Sequence, residues 1–281
     1  MDRYRVQRFG FALLGLVTVI VVAPILLVIG AIAIRGFEAI DWGFLTSMPR
    51  DGMRAGGIFP AIVGTLWLTL GTALAAIPIG VGGAIYLSEY ARDTLLTRAI
   101  RLAIINLAGV PSVVYGLFGL GLFVLFLQFG TSIAAGSLTL AIMTLPIIIS
   151  TAEEALRAVP NEFRTVSASL GGTRWQGIRR IVLPQAMPGI ITGVILGLLR
   201  AAGETAPILF TVAAFFLPRL PQSPFDQTMA LPYHLYVIST QVPGMPEENQ
   251  YGTALVLLAL VLSLNLVATI IRSYYRRRRE W

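Results

Sequence analysis

Six apolar segments, each long enough to cross a lipid bilayer, constrain this chain more than any other feature. About 20 helical residues cover the ~30 Å hydrocarbon core, and an open strand there would leave backbone groups without hydrogen bonds. The 281 residues are 56% hydrophobic and only 12% charged, against about a quarter charged in soluble domains. The sequence therefore predicts an all-α integral membrane protein with six transmembrane helices, at Phe11–Ile34, Ala61–Leu87, Leu102–Leu127, Ile133–Ser150, Gly189–Phe216 and Tyr251–Ile271.

The placement of the basic residues predicts the orientation of these helices. All 21 are arginine; with the N-terminus in the cytoplasm, sixteen fall on the inner side, four on the outer side, and Arg200 within a span. Cytoplasmic loops of membrane proteins carry such an excess of positive charge. We therefore expect both termini in the cytoplasm. We divide the chain into an N-terminal helix with its outer loop (1–60), a transmembrane domain (61–275) and a basic cytoplasmic tail (276–281).

Composition argues against several classes of function. The chain has no cysteine, which excludes thiolate metal sites and cysteine nucleophiles, and its single histidine, His234, cannot form a histidine cluster. Without lysine it has no G-x-x-x-x-G-K-[ST] loop for nucleotide phosphates. We expect no catalytic residue, no metal and no cofactor in this chain. We also expect membrane lipid and no nucleic acid as a partner, because membrane topology already explains the positive charge.

Two charges inside the fifth apolar segment indicate a polar pathway through the membrane. Arg200 and Glu204 are four residues apart, which places them on one face of a continuous helix. A charged side chain at the centre of a spanning helix costs roughly 2.5–3.5 kcal/mol on insertion scales, and charges retained there commonly line pathways. Thr205 follows the pair, and Pro207 predicts a bend because its ring crowds the preceding turn. The alternative is a structural ion pair between packed helices.

Two hydroxyl side chains extend this candidate pathway. Ser112 and Tyr115, in the third apolar segment, can donate hydrogen bonds to an oxyanion or, alternatively, to a neighbouring helix. A secondary anion transporter would also hold charges in mid-membrane, but it would more often show 10 to 14 spans or an internal repeat. A channel subunit would need no docking loop, and an intramembrane enzyme would need a nucleophile or a metal set.

The segment between the fourth and fifth spans, residues 151–187, predicts a cytoplasmic projection. Glycine and proline divide it into three short helices, at about Thr151–Val159, about Asn161–Leu170, and from Thr173 to an end at Pro184 and Pro188. Gly171-Gly172 separates the second helix from the third. A helix–glycine–helix projection suits docking into a groove of a partner protein. A helix lying on the lipid surface is the alternative.

The same loop resembles the signature loop of type I ABC importer permeases. That family's pattern is E-A-A, three residues, G, nine residues, I, one residue, L-P, and the matching residues here are Gly171, Ile181, Leu183 and Pro184. Thr165-Val166-Ser167 stand at the E-A-A positions, so the glutamate is missing. The resemblance implies that the loop couples the permease to an ATPase subunit, through Ser169, Leu170, Gly171, Gly172, Thr173, Arg174 and Trp175.

Further segments are similar to A-type permease subunits of phosphate-specific ABC importers. They are Gly57–Thr65, Pro111–Gly116, Glu153–Leu156, Arg200–Pro207 and Leu231–Tyr236, and the similarity covers nearly the whole chain from about Gly56 onward. It implies a permease of the bacterial plasma membrane that imports inorganic phosphate. It further implies a heterodimer with a C-type permease subunit, two ATPase subunits that bind ATP and Mg, and an extracytoplasmic phosphate-binding protein. A permease for another oxyanion, a secondary anion transporter and a channel subunit are the alternatives.

Overall fold

The computed structural model of the chain describes residues 3–169 and 171–277. Within these ranges five helices are long and apolar enough to cross a membrane. A sixth span is formed if two helices joined through a 104° bend are counted together. The all-α membrane class is therefore confirmed at the level of five to six spans, whereas the cytoplasmic placement of the termini stays a prediction. Residues 278–281 of the predicted basic tail lie outside the described residues, and the three-part division of the chain also stays a prediction.

The helices are α1 (Arg3–Gly36), α2 (Trp42–Thr46), α3 (Phe59–Ile85), α4 (Leu95–Ala108), α5 (Ser112–Gly119), α6 (Ile133–Arg157), α7 (Asn161–Ser169), α8 (Arg174–Gly177), α9 (Leu183–Gly203), α10 (Ala206–Thr211), α11 (Leu231–Thr240) and α12 (Glu247–Arg277). Three π-type turns continue α3, α5 and α8, at Tyr86–Tyr90, Leu120–Phe126 and Ile178–Val182. Short 3₁₀ turns occupy Phe37–Ala39 and Asp51–Met53. Two-residue strands, β1 (Pro49–Arg50) and β2 (Ala55–Gly56), pair antiparallel in the outer loop.

Helices α3, α6 and α9 form the packed centre of the molecule. A Cβ atom added at Gly80 of α3 would lie 2.7 Å from Ile148 of α6, and one at Gly193 of α9 would lie 2.8 Å from the Cβ of Thr151. Both contacts are closer than side chains tolerate, so glycine is what allows these backbones to approach. In lipid, where burial of apolar groups gives little driving force, such close packing is a main source of helix association.

The first and last helices lie at the edge of this centre. In α1 and α12 the most apolar stretch has no buried residue within the described chain, so these helices face lipid or a partner. They meet where α1 ends and α12 begins, since a Cβ at Gly36 would be 2.5 Å from the carbonyl oxygen of Tyr251. Arg35 also donates a 3.0 Å hydrogen bond from Nη1 to the Tyr251 hydroxyl.

The third predicted span, Leu102–Leu127, is wrong as one continuous helix. Helix α4 ends at Ala108, α5 begins at Ser112, and the two are bent by 104°. Pro111 causes the break, because proline has no N–H for the Leu107 carbonyl and its ring crowds that oxygen. The freed Leu107 oxygen accepts instead from Val110 N at 3.1 Å and from the Tyr115 hydroxyl at 2.8 Å.

Three predicted boundaries around the cytoplasmic loop also need correction. Helix α6 runs without interruption from Ile133 to Arg157, so Thr151 begins no separate helix. Pro184 and Pro188 do not end the third short helix, because a single helical rod extends from Arg174 to Gly203. The π-type turn Ile178–Val182 precedes Pro184 and widens the helix there, which gives the proline ring room. The loop is thus shorter and more firmly joined to the spans than expected.

The predicted end of the fifth span, Phe216, is wrong as well. Helix α9 ends at Gly203, and after a break the short helix α10 ends at Thr211. The chain that follows is an irregular loop with one isolated bridge, where Ala214 N donates to the Thr228 carbonyl at 3.0 Å, before α11 begins at Leu231. Backbone of this kind at membrane depth requires protein neighbours to supply its hydrogen bonds. Ser132, at the start of α6, is one of them, since its N–H donates to the Thr211 carbonyl at 2.9 Å.

His234 is a deeply buried side chain near the start of α11. It lies in α11, outside the candidate spans, is only 3% exposed, and its Nδ1 atom has no hydrogen-bond partner within the described residues. Burial lowers the pKa of His234 from its usual 6.5 to about 4. The folded chain therefore holds a neutral imidazole through the range in which the unfolded chain becomes protonated.

We expect this histidine to add a pH-dependent increment to stability. The increment is complete above pH 6.5 and is lost as the pH falls towards 4, with a slope of at most about 1.4 kcal/mol per pH unit. The thermal midpoint of the purified protein should fall more steeply between pH 7 and pH 5 in the wild type than in His234→Gln. Equal slopes in the two proteins would contradict the assignment.

Candidate substrate pathway and coupling loop

The charged pair lies at the break between α9 and α10. Arg200 belongs to the last turn of α9, whereas Glu204 is the first residue after the helix, with extended backbone angles of φ −76° and ψ 137°. The Arg200 Nε and Glu204 Oε1 atoms are 3.3 Å apart. The two residues are thus paired as expected, but they do not share one face of a continuous helix. The break arises because Pro207 cannot offer an N–H to the Gly203 carbonyl.

The pairing leaves most of the Arg200 guanidinium available. Its single hydrogen bond within the described residues uses Nε, so both Nη groups have no protein acceptor there. The Arg200 side chain is 35% exposed and that of Glu204 17% exposed, which places the cation at an accessible edge with the carboxylate behind it. A planar guanidinium with two free nitrogens can bind an oxyanion through two parallel hydrogen bonds.

Helix α5 brings Tyr115 to this site. A Cβ at Gly116 would lie 3.0 Å from the Cα of Pro207, so α5 packs directly on the start of α10. Tyr115 is buried and within electrostatic reach of Arg200. Its hydroxyl proton is donated to the Leu107 carbonyl at 2.8 Å, so in this structure the tyrosine holds the α4–α5 bend and offers no free donor.

The two other predicted pathway residues occupy the two breaks. Ser112 is the first residue of α5, directly after Pro111, and Thr205 lies between α9 and α10. Both are half-buried, and neither hydroxyl makes a hydrogen bond within the described residues. Within the described residues, no hydrogen bond joins Ser112 to Arg200 or Glu204. The structure therefore places Arg200, Glu204 and Thr205 together, with Tyr115 near them.

The cavity beside the charged pair is too small to hold a phosphate ion. Its volume is about 10 Å³, and Thr65, Thr69, Glu204 and Ala230 contribute to its walls. That space suffices for about one water molecule. The accessible edge of Arg200 is therefore the side from which an oxyanion could reach the charged pair.

The coupling loop has the helix–glycine–helix form that the sequence predicts. Helix α7 ends at Ser169, and Gly171 adopts a left-handed φ of +76°, which favours glycine. Thr173 then caps α8: its Oγ1 accepts from Gln176 N at 3.3 Å, while its own N–H donates to Gln176 Oε1 at 2.9 Å. This reciprocal box defines where the second helix begins. Leu170 lies outside the described residues.

The predicted coupling residues do not all face the same way. Trp175 is 51% exposed, so its side chain lies at the surface of the chain. Arg174, by contrast, folds back: it donates to the backbone oxygen of Glu89, and its guanidinium carbon lies 5.0 Å from the centroid of the Tyr90 ring. Ser169 donates from Oγ to the Thr165 carbonyl at 3.0 Å. The sequence placed these residues in one group. The structure shows that Trp175 lies at the surface, whereas Arg174 is bonded to the end of the second span.

Sequence reasoning did not assign a role to five charged residues that form ion pairs next to this loop. Glu89 binds Arg164 of α7 with a closest approach of 2.6 Å, and Glu153 binds Arg101 of α4 at 2.8 Å. Arg157 also contacts Glu153, at 2.8 Å. The sequence contained a clue to Glu89, because it is the first acidic residue after the second apolar segment and lies within four residues of the predicted end of that segment. Its partner, 75 residues away, could not be read from spacing.

Residues 76–281 match the family described as "Binding-protein-dependent transport system inner membrane component". The chain belongs to this family. The chain is therefore a membrane-embedded ABC transporter permease with several spanning helices, which confirms the resemblance seen in the sequence and implies membrane and ATPase partner subunits.

Relatives of known description agree over most of the chain. It is 33% identical to "Probable ABC transporter permease protein YqgI" of Bacillus subtilis, over 95% of each chain. It is 36% identical to "Phosphate transport system permease protein PstA 1" of Mycobacterium tuberculosis, over 93% of this chain and 86% of the relative. Among solved structures, the inward-facing MetNI methionine ABC transporter has a TM-score of 0.62 at 16% identity, covering 76% of this chain and 94% of that one. That likeness concerns the fold alone.

The left-handed glycine of the coupling loop gives a direct test of its geometry. A Cβ at Gly171 would meet no atom within 4 Å, so any effect of a substitution there comes from the backbone conformation. Since a β-branched residue in the left-handed region costs roughly 1–2 kcal/mol, we expect Gly171→Val to reduce the amount of ATPase subunit that co-purifies. Gly171→Asn, which tolerates this region, should retain it. If the two variants retained equal amounts of ATPase subunit at equal levels in the membrane, the left-handed turn would not be needed for docking.

Proposed function

We propose that this chain is the A-type permease subunit of an ATP-driven importer of inorganic phosphate. The observation that carries this proposal is Arg200: its Nε is held by Glu204 at a helix break, and neither Nη group has an acceptor among the residues that the structure describes. The names of relatives at 32–36% identity, which describe phosphate transport permeases from Mycobacterium tuberculosis and Methanocaldococcus jannaschii, support phosphate as the cargo. Weak binding is required of a transport site, and the neighbouring carboxylate provides it by neutralising part of the cation's charge.

The long helical rod supplies a mechanical connection between the loop and this site. From Arg174 to Arg200 is 26 residues of helix, roughly 40 Å at ~1.5 Å per residue, and the rod is unbroken. A displacement of α8 by an ATPase subunit therefore moves the position of Arg200 as well. The break at Glu204 allows the charged end to move relative to α10, which opens the edge of Arg200 towards one side of the membrane and then the other.

The remaining components follow from the same proposal. A C-type permease subunit would cover the exposed edge of Arg200 and complete the pathway, in which Ser112, Tyr115 and Thr205 add hydroxyl groups. Two ATPase subunits would bind ATP and Mg²⁺ and perform the hydrolysis, so this chain itself carries no catalytic residue or cofactor. An extracytoplasmic phosphate-binding protein would deliver the cargo. The location is the bacterial plasma membrane, with both termini and the coupling loop in the cytoplasm.

The function is tested by reconstituting the chain with its partner subunits in liposomes. We expect phosphate, presented by its binding protein, to stimulate ATP hydrolysis and to enter the liposomes. Stimulation by a different oxyanion and not by phosphate would make this a permease for that oxyanion. Uptake by the purified chain alone, without ATP, would instead favour a secondary transporter or a channel.

Exchanging the two charges separates a transport role from a structural one. In Arg200→Glu with Glu204→Arg the ion pair can still form, but the cation moves beyond the end of α9 and a carboxylate occupies its place. We expect the exchanged protein to assemble with its partners and to lose phosphate uptake by at least about tenfold, as truncation of a charge-assisted contact does. Substantial uptake by the assembled variant would show that the pair serves only to join helices.

The proposed orientation is tested with single cysteines, because the natural chain has none. Gln222 and Arg92 are both exposed, and the proposal places them on the outer and inner sides. In intact cells an impermeant thiol reagent should label Gln222→Cys. Arg92→Cys should react only after the membrane is permeabilised. The opposite labelling pattern would reverse the topology.

A further inference from the structure

We propose that Glu89 is a positioning residue that ties the coupling loop to the second span, so that the loop moves α3, α6 and α9 as one body. The inference rests on the proposed transport function and adds a route of coupling to it. Glu89 lies at the end of the π-type turn that continues α3, and its side chain is only 5% exposed. We call the set formed by Glu89, Arg164 and Arg174 the arginine clamp.

The first contact of the clamp joins α7 to the end of α3. Arg164 Nη2 donates to Glu89 Oε1 at 2.6 Å, and Arg164 Nε donates to Oε2 at 3.1 Å. This is the two-pronged arrangement in which arginine binds a carboxylate with the greatest geometric specificity. Because Glu89 is buried, a break in the pair would leave its charge without a partner, so the pair resists opening.

The second contact extends the clamp to α6. Arg164 Nη1 donates to the carbonyl of Val159 at 2.6 Å, and Nη2 donates to that of Leu156 at 2.9 Å. Leu156 belongs to the last turn of α6 and Val159 lies two residues beyond its end, in the region where carbonyls lack the usual partner four residues further along the helix. One guanidinium therefore holds the coupling helix α7 against the ends of two central helices at once. Lysine could not replace it, since a single ammonium group lacks the planar fork.

The third contact comes from the other side of Gly171. Arg174 of α8 donates to the backbone oxygen of Glu89 and stacks on Tyr90. From α4, Arg101 Nη2 donates to the Leu87 carbonyl at 2.8 Å, while its Nε binds Glu153 of α6. The end of the second span is thus held by arginines from α4, α7 and α8. Both helices of the coupling loop are attached to it, on either side of the left-handed turn.

These ties determine where the moving joint can lie. With α7 and α8 fixed to α3 and α6, and α8 continuous with α9, a push on the loop displaces the three central helices together. Within the described residues no arginine ties α10 to α9, from which Glu204 and Thr205 separate it; its far end is joined to the start of α6 by the hydrogen bond from Ser132 N to the Thr211 carbonyl. The displacement is therefore taken up at the break that carries the charged pair. Coupling of distant sites through packed rigid elements requires such a discrete joint.

A conservative pair of variants tests the clamp through the ratio of phosphate imported to ATP hydrolysed. Glu89→Gln removes the charge, and Arg164→Lys keeps the charge but loses the fork. We expect both to retain co-purifying ATPase subunit, to leave the phosphate concentration for half-maximal uptake unchanged, and to lower the ratio roughly fivefold, within the range that substitutions on a coupling route produce. Asp93→Asn is the matched control, because the Asp93–Arg98 pair in the same region is exposed and should not affect the ratio.

Two outcomes of that measurement would overturn the proposal. An unchanged ratio at reduced protein levels would show that the clamp only stabilises the fold. Loss of the ATPase subunit from the complex would show that the clamp shapes the docking surface and does not transmit movement. Arg164→Lys guards against misfolding of Glu89→Gln, since it leaves the buried carboxylate with a cation.

A second measurement does not depend on phosphate and so separates this inference from the proposed cargo. Spin labels on Arg92→Cys and Glu162→Cys, both at exposed positions, report the distance between the end of the second span and α7 in the assembled complex. In the otherwise natural protein we expect ATP to leave this distance unchanged. When Glu89→Gln is added, we expect ATP to broaden the distribution of distances. A distance that changes on ATP addition with the clamp intact would refute a rigid tie, whatever the transported ion.

Discussion

The close approach of α3, α6 and α9 is the constraint on which the rest of this structure depends. Glycines such as Gly80 and Gly193 remove the Cβ atoms that would hold these backbones apart. In a bilayer this matters more than in water, because lipid tails are as apolar as the side chains they replace and only good packing distinguishes the folded arrangement. A tightly packed centre can also be displaced as a unit, which a loosely packed one cannot.

Around that centre, irregular backbone is concentrated where the charged pair lies. The chain breaks at Pro111 and again before Pro207, and each break exposes carbonyls or N–H groups that a bilayer cannot satisfy. At the first break the Tyr115 hydroxyl donates to the freed Leu107 oxygen, and at the end of α10, beyond the second break, Ser132 N donates to the Thr211 carbonyl. The two breaks are packed on one another through Gly116. The packing of α5 on α10 therefore also holds the helix ends near Ser112, Thr205 and Glu204.

Around the coupling loop, arginine side chains supply several of the contacts that hold the helices together. Five of the arginines that the positive-inside rule assigns to the cytoplasm are used as structural donors. Arg101, Arg164 and Arg174 donate to backbone oxygens at helix ends, Arg157 pairs with Glu153, and Arg98 pairs with Asp93. The arginines that predict the membrane topology are thus also the residues that hold the coupling loop against the spans. An arginine near a helix C-terminus satisfies carbonyls that have no partner and interacts favourably with the helix dipole. The loop is consequently part of the helical core and is not a flexible appendage.

The sequence by itself determined the membrane class, the existence of each apolar segment, the helix–glycine–helix loop and the charged pair, because hydropathy, glycine and proline act over a few neighbouring residues. Only the tertiary structure decided that residues 102–127 bend through 104°, that the fifth helix continues unbroken through Pro184 and Pro188, and that Glu204 lies just beyond its end. It also decided that Arg174 turns inward and that Glu89 meets Arg164 across 75 residues. Whether a proline ends a helix or is accommodated, and which buried charge finds which partner, depends on groups that are distant in the chain, and local pattern carries no information about them.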